Sequence, residues 1–323
     1  MASENGRQVY LMIGNFLFIC SQSAVLFLLM IIGFFASKFG LINAEGEKTL
    51  TNLMLYLAVP CVILRSFSEG FNKDWVYGFL ICLAISLITY LISIILATLT
   101  LRHKNKEYED TVRFCTIFAN VGLFCIPIAG SMFGEEGVFY CISQMVLFNI
   151  ISWTYGYWLM GKDSSHRLNF SLKKILLNPG VLFVFVGLLL FFSSIQLPSI
   201  LADAIDYVAG IYVPVGMIII GHRIAISGFS ILKQKDIHWR GTLEKLVIIP
   251  ALVMLCLYFA GIKGYAAIIA IMAACAPAGS TVTMFAILFG HDEDTSAGIV
   301  TYQTLLALVT VPIFLTIAQT LLN

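Results

Sequence analysis

Long apolar runs separated by short charged segments dominate the chain. Ten intervals of more than fifteen residues contain no Asp, Glu, Lys or Arg. Each comes close to the roughly 17–25 apolar residues of a membrane-spanning helix, and flanking charged side chains can extend the shorter ones. The runs do not alternate polar with apolar residues, as the strands of membrane barrels do. The pattern therefore predicts an all-α polytopic membrane protein with ten transmembrane helices, numbered here as the first to the tenth span.

The ten predicted spans divide into two halves of five. The first repeat covers residues 1–160, a basic cytoplasmic linker covers residues 161–174, and the second repeat covers residues 175–323. Because five is an odd number, the second half must enter the membrane with the opposite orientation. That arrangement is typical of transporters built from inverted repeats.

Proline residues occupy matching positions in the two halves. Pro60 and Pro214 lie in the second span of each half, and Pro127 and Pro277 lie in the fourth. A proline inside a helix lacks an N–H donor and clashes with the carbonyl four residues earlier. Single prolines in membrane helices are commonly simple kinks, but paired interruptions in corresponding positions indicate a substrate site. The sequence predicts that the fourth and ninth spans are broken at Pro127 and Pro277 and cross there.

Polar and small residues cluster around these two prolines. Asn120 lies seven residues before Pro127, about two helical turns, so a continuous helix would place both on one face. An asparagine is costly to leave unpaired in lipid, which favours a functional role. Serine and threonine in membrane helices often bond their own backbone, and Gln144 could instead join two helices. The candidate substrate-binding residues are Asn120, Pro127, Gln144, Pro277, Gly279, Ser280 and Thr281.

Helix ends at such a crossing would set the charge preference of the site. The N-terminus of each half-helix carries roughly half a positive elementary charge and unpaired N–H groups, so it favours an anion. The sequence predicts no carboxylate, histidine or basic residue deep in any span. Glu135 is expected to be a solvated turn residue. Asp203 and Asp206 are expected to form a solvated helix start, with a weak cation site as the alternative. No catalytic constellation, metal site, cofactor motif or nucleotide-binding loop is evident, so an intramembrane enzyme is not favoured.

Composition and charge narrow the class of protein and predict its orientation. The chain is 59% hydrophobic and 11% charged, whereas about a quarter of the residues in a soluble domain are charged. Its net charge of +1 argues against a nucleic-acid partner. Fifteen of the 19 lysines and arginines fall on the inner side if the N-terminus is outside. We therefore expect a multi-pass protein of the cell (plasma or inner) membrane, with the lipid bilayer around it and both termini outside.

Three stretches resemble the auxin efflux carrier family, which includes bacterial malate and malonate permeases and plant PIN-type auxin exporters. They are NVGLFCIPI from Asn120, APAGSTVTMFAILFGHDEDTSAGIVTYQTLLALVTVPIF from Ala276, and LNPG from Leu177. The resemblance covers essentially the whole chain. It implies a fold similar to the bile acid–sodium symporters, with the first, second, sixth and seventh spans as a scaffold and the other six as a mobile domain. It also implies that Asn120 contacts the substrate and that the protein forms a homodimer.

Two functions remain open on the sequence. The first is a secondary active or facilitative transporter of small organic anions, such as mono- and dicarboxylates, malate, malonate or auxin-like acids, with an elevator-type mechanism. The alternative is a membrane sensor of the same fold that binds its ligand without turnover. The sequence leaves open the substrate, the direction of transport and whether Na⁺ or H⁺ is a coupling ion.

Overall fold

The computed structural model describes residues 24–68, 73–162, 179–193, 197–227, 237–279 and 281–322. Every regular element within these ranges is helical, which confirms the all-α prediction for this part of the chain. The helices are α1 (Ala24–Lys38), α2 (Ala44–Ser68), α3 (Lys73–Thr100), α4 (Lys106–Ile117), α5 (Ile126–Ile151), α6 (Tyr157–Gly161), α7 (Pro179–Ser193), α8 (Ser199–Gly210), α9 (Tyr212–Ser227), α10 (Ile237–Leu243), α11 (Ile249–Phe259), α12 (Tyr265–Cys275), α13 (Thr281–Phe289) and α14 (Glu293–Leu322).

Six helical segments in the described ranges are long and apolar enough to cross a membrane, and α1 and α12 are shorter apolar helices. The six are Ala44–Ser68, Lys73–Thr100, Lys106–Gly161, Ser199–Ile226, His238–Phe259 and Asp294–Leu322. A multi-pass membrane protein is thus confirmed at this coarse level. The division into ten spans and two inverted repeats stays a prediction. Most of the predicted linker at residues 161–174 lies outside the described residues.

The segment Lys106–Gly161 folds back on itself at a glycine. It contains 56 residues. As one straight helix it would be about 84 Å long, against about 30 Å for the hydrocarbon core. Gly134 adopts φ 61° and ψ −148°, a conformation that only glycine reaches without steric cost. A Cβ atom built on Gly130 would lie 3.3 Å from the Val138 side chain, so the chain reverses there. The turn separates the residues of the fourth predicted span from those of the fifth.

Helix α3 has the surface expected of a helix in contact with lipid. Its small and polar residues, among them Gly78, Ser86, Ser93 and Ala97, are buried against the rest of the protein. The opposite side exposes large apolar side chains at helical spacing: Tyr77, Leu80, Leu87, Ile88, Leu91, Ile95 and Leu99. Such a continuous apolar face is rare on a soluble protein, and it supports the membrane assignment.

The helices pack into two groups. The first helix group consists of α1, α2, α7, α8 and α9, with α2 packed along both α7 and α8. The second helix group consists of α3, α5, α12 and α14, with α12 in contact with the other three. The groups meet at two places: α9 contacts α14 and the turn Val121–Cys125, and α5 contacts α2 and α7. The candidate site lies at this boundary.

Helices α1 and α9 approach so closely that their backbones touch. A Cβ atom built on Gly221 of α9 would overlap the Met30 carbonyl group of α1. One built on Gly33 of α1 would likewise overlap the Ile218 carbonyl group of α9. The contact is therefore reciprocal, and only glycine fits at either position. Small residues at helix contacts allow this kind of packing in membrane proteins, where backbone proximity replaces the hydrophobic driving force.

Three π-helical turns each end two residues before a proline. Met54–Ala58 precedes Pro60, Val121–Cys125 precedes Pro127, and Glu244–Ile248 precedes Pro250. A π turn adds one residue to the helical ring, which relieves the clash between the proline ring and the preceding turn. Proline is therefore accommodated at these points without ending the helix.

Candidate functional site

The first interruption lies between α4 and the turn Val121–Cys125. Phe118 is extended, with φ −97° and ψ 125°, and Asn120 has φ −79° and ψ 68°. The sequence predicted a break at Pro127, seven residues later. Pro127 instead lies in the first turn of α5. Because Asn120 is not helical, the argument that it shares a helical face with Pro127 does not hold.

The second interruption separates α12 from α13. Helix α12 ends at Cys275, Ala276 is extended with φ −70° and ψ 144°, and residues 276–279 are not helical. Pro277 lies inside this stretch, as the sequence predicted. Ala276 and Ala278 have no exposed surface. Ser280 lies outside the described residues, and Thr281 is the first residue of α13.

The two interruptions are in direct contact. The backbone N–H of Asn120 donates to the carbonyl oxygen of Pro277 at 2.7 Å. A Cβ atom built on Gly279 would lie 3.4 Å from Cβ and Cγ of Asn120, so Gly279 packs on the asparagine side chain. In an apolar surrounding, backbone groups that leave a helix must find partners elsewhere. Each interruption here supplies a partner for the other.

Side chains from neighbouring elements satisfy further freed backbone groups. Oδ1 of Asn120 accepts from the N–H of Leu123 at 3.2 Å and so caps the following helical turn. Oε1 of Gln303 in α14 accepts from the N–H of Ala278 at 2.9 Å. The Tyr212 hydroxyl of α9 donates to the carbonyl oxygen of Gly122. The cap uses the acceptor of Asn120, and an amide side chain also carries two N–H donors.

Asn120 lines a small cavity between the two helix groups. The cavity has a volume of about 20 Å³, enough for roughly one water molecule. Its other lining residues are Leu123, Ile219, Ile220, Arg223, Ile224, Val300, Thr301 and Thr304. The lining therefore includes four polar residues, Asn120, Arg223, Thr301 and Thr304, and the others are aliphatic. This combination can hold a carboxylate that is attached to an apolar body.

The predicted Gln144 lies elsewhere. It is 4% exposed, and its Nε2 donates to the carbonyl oxygen of Cys82 in α3 at 3.3 Å. It does not line the cavity and joins two helices, the alternative that the sequence left open. Gln303, at the corresponding position early in the tenth span, is the glutamine that contacts an interruption. Gln144 and Gln303 lie at matching positions, early in the predicted fifth and tenth spans. This match was the only feature of the sequence that pointed to Gln303.

A lysine is buried beside the interruptions, contrary to the sequence expectation. Lys245 is 2% exposed and lies within the electrostatic reach of Cys115, Cys125 and Cys275. Cys125 ends the turn after the first interruption, and Cys275 ends the helix before the second. The sequence grouped Lys245 with the basic loop before it. The helical segment His238–Phe259 continues through this position and carries the side chain into the protein.

An ionic cluster also joins the two helix groups. Arg65 of α2 contacts Glu135, next to the Gly134 turn, at 2.9 Å, and Asp206 of α8 at 3.4 Å. The Ser66 hydroxyl donates to Glu135 at 3.3 Å. Glu135 and Asp206 were expected to be solvated. Asp206 keeps 54% of its side chain exposed, so its contact with Arg65 does not remove it from solvent, whereas Glu135 is only 26% exposed.

Two helix groups pack together, and a small cavity with polar residues lies between them beside the two interruptions. This arrangement is typical of a multi-pass membrane protein of the transporter class. Comparison with known proteins agrees. The chain matches the family described as membrane transport protein over residues 18–315, and it belongs to that family. The resemblance to auxin efflux carriers and the expectation of a transporter rather than an enzyme are thereby confirmed.

Two archaeal proteins are among the relatives, and both carry the description "uncharacterized transporter". The one from Methanocaldococcus jannaschii is 25% identical over 206 residues, which are 61% of this chain and 66% of that protein. The one from Methanothermobacter thermautotrophicus is 22% identical over 296 residues, which are 88% of this chain and 94% of that protein. Their descriptions give the class of protein and no substrate.

Proposed function

We propose that the protein is a secondary active or facilitative transporter of small organic anions. The observation that carries the proposal is the contact between the two interruptions, through the Asn120–Pro277 bond, beside a cavity that contains Asn120 and Arg223. Broken helices in lipid are costly and are tolerated where the backbone is buried in protein or lines a cavity. A polar cavity at such a point fits a substrate site.

In this proposal the chain forms ten spans in two inverted repeats, with both termini outside the cell membrane. The fourth span comprises α4 and the start of α5, the ninth comprises α12 and α13, and the two cross at residues 118–120 and 276–279. The first helix group is the scaffold and the second moves. The packing of α2 along α7 and α8, and of α12 against α3, α5 and α14, supports this division. Asn120 would travel with the second group, while Arg223 stays with the first.

An anion is the expected substrate because the site presents donors and positive charge. Asn120 contributes an amide, Arg223 a guanidinium, and Thr301 a hydroxyl. Lys245 is a further buried basic side chain, near Cys125 and Cys275 beside the interruptions. The aliphatic walls would hold the carbon skeleton of a mono- or dicarboxylate. A volume of about 20 Å³ is too small for malate, so the helix groups must separate to admit it, as alternating access requires.

Transport by purified protein in proteoliposomes tests the proposal. Labelled malate, malonate and indole-3-acetate are offered with and without Na⁺ and pH gradients, and protein-free liposomes serve as the control. We expect saturable flux of at least one anion above the control. Saturable binding without flux would favour a sensor instead. If none of the three anions is bound or moved, the proposed substrate class is wrong.

A further inference from the structure

One cation of the cavity has a defined orientation. Arg223 of α9 lines the cavity with Asn120, and its Nε donates to Oε1 of Glu47 at 2.5 Å. Glu47 lies in the first turn of α2, and both side chains are largely buried, with 28% and 16% of their surface exposed. His222, the neighbour of Arg223, places its Nε2 3.6 Å from the other Glu47 oxygen. The arginine therefore reaches the cavity from a helix packed in the first group.

The bond to Glu47 leaves part of the guanidinium for another anion. A guanidinium carries five N–H donors in a fixed plane, and the bond to Glu47 uses the one on Nε. Its terminal nitrogens match the two oxygens of a carboxylate, which is why arginine commonly binds such groups in pairs of parallel bonds. Glu47 orients the guanidinium and occupies only the N–H group on Nε. Because Arg223 lines the cavity, its terminal nitrogens are the groups that would bind a carboxylate there.

Asn120 and Arg223 line the same cavity from different helix groups. Asn120 belongs to the second helix group at the interruption, and Arg223 belongs to the first. A carboxylate between them could accept from the amide on one side and the guanidinium on the other. The aliphatic side chains of Ile219, Ile220 and Val300 would contact the rest of the molecule. An analogue of the anion in which a neutral amide replaces the carboxylate would lose the charge-assisted hydrogen bond to Arg223.

We propose that Arg223 binds the carboxylate of the transported anion and determines the preference for anions over neutral analogues, with Glu47 as its positioning residue. This inference rests on the proposed function, since it assigns the anion-recognition step of the same site. Glu47 does not contact the anion in this proposal. It holds the guanidinium in the plane that the carboxylate requires.

The test compares transport kinetics of variants in proteoliposomes with malate, malonate and indole-3-acetate as probes. Arg223→Gln should raise KM about ten- to hundredfold for each anion that the unmodified protein transports, the loss expected for a charge-assisted hydrogen bond. Arg223→Lys keeps the charge and loses the planar fork, so we expect a rise of about three- to tenfold. Glu47→Gln should raise KM by a similar factor. Arg102→Gln, at an exposed arginine outside the cavity, is the matched control and should leave KM unchanged.

A second set of variants separates recognition from folding. Arg223→Gln leaves the carboxylate of Glu47 without its partner and can destabilise the protein, whereas the double variant Glu47→Gln with Arg223→Gln removes both charges. The double variant should melt near the temperature of the unmodified protein and still have the raised KM. Thermal stabilisation by malonate, compared with malonamide, gives a readout without flux. The unmodified protein should prefer malonate, and the double variant should not distinguish the two.

The outcomes decide between the two proposals. Transport by Arg223→Gln or by the double variant at the KM of the unmodified protein overturns the role of Arg223 and leaves the proposed function intact. If neither of these variants folds, an unchanged KM in Arg223→Lys would likewise overturn the role of Arg223 and leave the proposed function intact. Absence of flux and of binding for all three anions in the unmodified protein overturns the proposed function, and this inference with it.

Discussion

Asn120 makes three separate contributions to the interrupted region. Its backbone N–H bonds Pro277, its Oδ1 caps the next turn through Leu123, and its side chain lines the cavity. The cap is a structural function that serine can also perform. The two amide N–H donors are what asparagine adds, and these are the groups that a carboxylate would use. Structural and recognition functions of this residue can therefore be separated by substitution.

Replacement of Asn120 by serine and by alanine tests that separation. Asn120→Ser keeps a capping oxygen and loses the amide donors, so we expect flux of the preferred anion to fall about tenfold or more with little change in melting temperature. Asn120→Ala loses the cap as well, which costs about 1 kcal/mol, and should lower both quantities. Flux and thermal unfolding are measured on the same preparations. Flux by Asn120→Ser at the level of the unmodified protein would remove Asn120 from the binding site.

At this scale the sequence identified the asparagine and missed the cations. Asn120 was recognisable because a polar amide inside an apolar run has few structural explanations. Arg223 and Lys245 each mark the edge of an apolar run, and hydropathy cannot tell whether a side chain at an edge points to solvent or back into the protein. Only the packing of α9 against α14, and the continuation of the helix through Lys245, decide that direction.

At the scale of helices, a proline alone did not locate an interruption. Pro277 lies in one, among small residues that leave the backbone free to extend. Pro127 does not, because the π turn before it absorbs the clash, and the chain leaves the helix at Phe118 instead. The helical and apolar character of the chain follows from local sequence. The point at which a helix opens depends on a partner such as the Pro277 carbonyl, which lies more than 150 residues away along the chain.

The contact between α1 and α9 depends on two glycines, and this can be measured. Gly221→Ala would force a methyl group into the Met30 carbonyl, and a helix backbone cannot yield as a side chain can. We expect the melting temperature of the purified protein to fall by about 3–6 °C, as overpacking of about 1–3 kcal/mol implies. Gly210→Ala, at the end of α8 with open space around it, is the control and should change it by about 1 °C or less. Equal melting temperatures for both variants would contradict the close approach.

At the scale of the whole molecule, an ionic cluster joins the two helix groups next to the buried contact between Phe67 of α2 and Phe139 of α5, whose ring centroids are 4.8 Å apart. The cluster of Arg65, Glu135 and Asp206 is partly exposed, with 26% to 54% of each side chain accessible. Exposed ion pairs of this kind stabilise by only about 0.2–1 kcal/mol. The cluster therefore adds little to the cohesion of the two groups, and in the proposed transport cycle it could break and re-form at the end predicted to face outside.

Neutralisation of Glu135 should shift the balance between states. Glu135→Gln removes the pair with Arg65, so we expect the state open at the Arg65 end to become about two- to fivefold more populated. Labelling of a cysteine introduced at Leu123, by an impermeant reagent added from that side, reports this population after subtraction of native-cysteine background. Asp203→Asn, one turn before Asp206 and exposed, is the matched control. An unchanged labelling rate in Glu135→Gln would show that the cluster does not control opening.

The hydrogen bond between Asn120 and Pro277 joins main-chain atoms only. Substitution of either side chain therefore leaves this hydrogen bond intact, provided that the backbone conformation does not change. The surrounding residues on α9 and α14 could therefore change to fit a longer, bulkier or doubly charged substrate while the hydrogen bond between the two interruptions is kept. A new substrate preference could then evolve in this fold through substitutions of the residues that line the cavity.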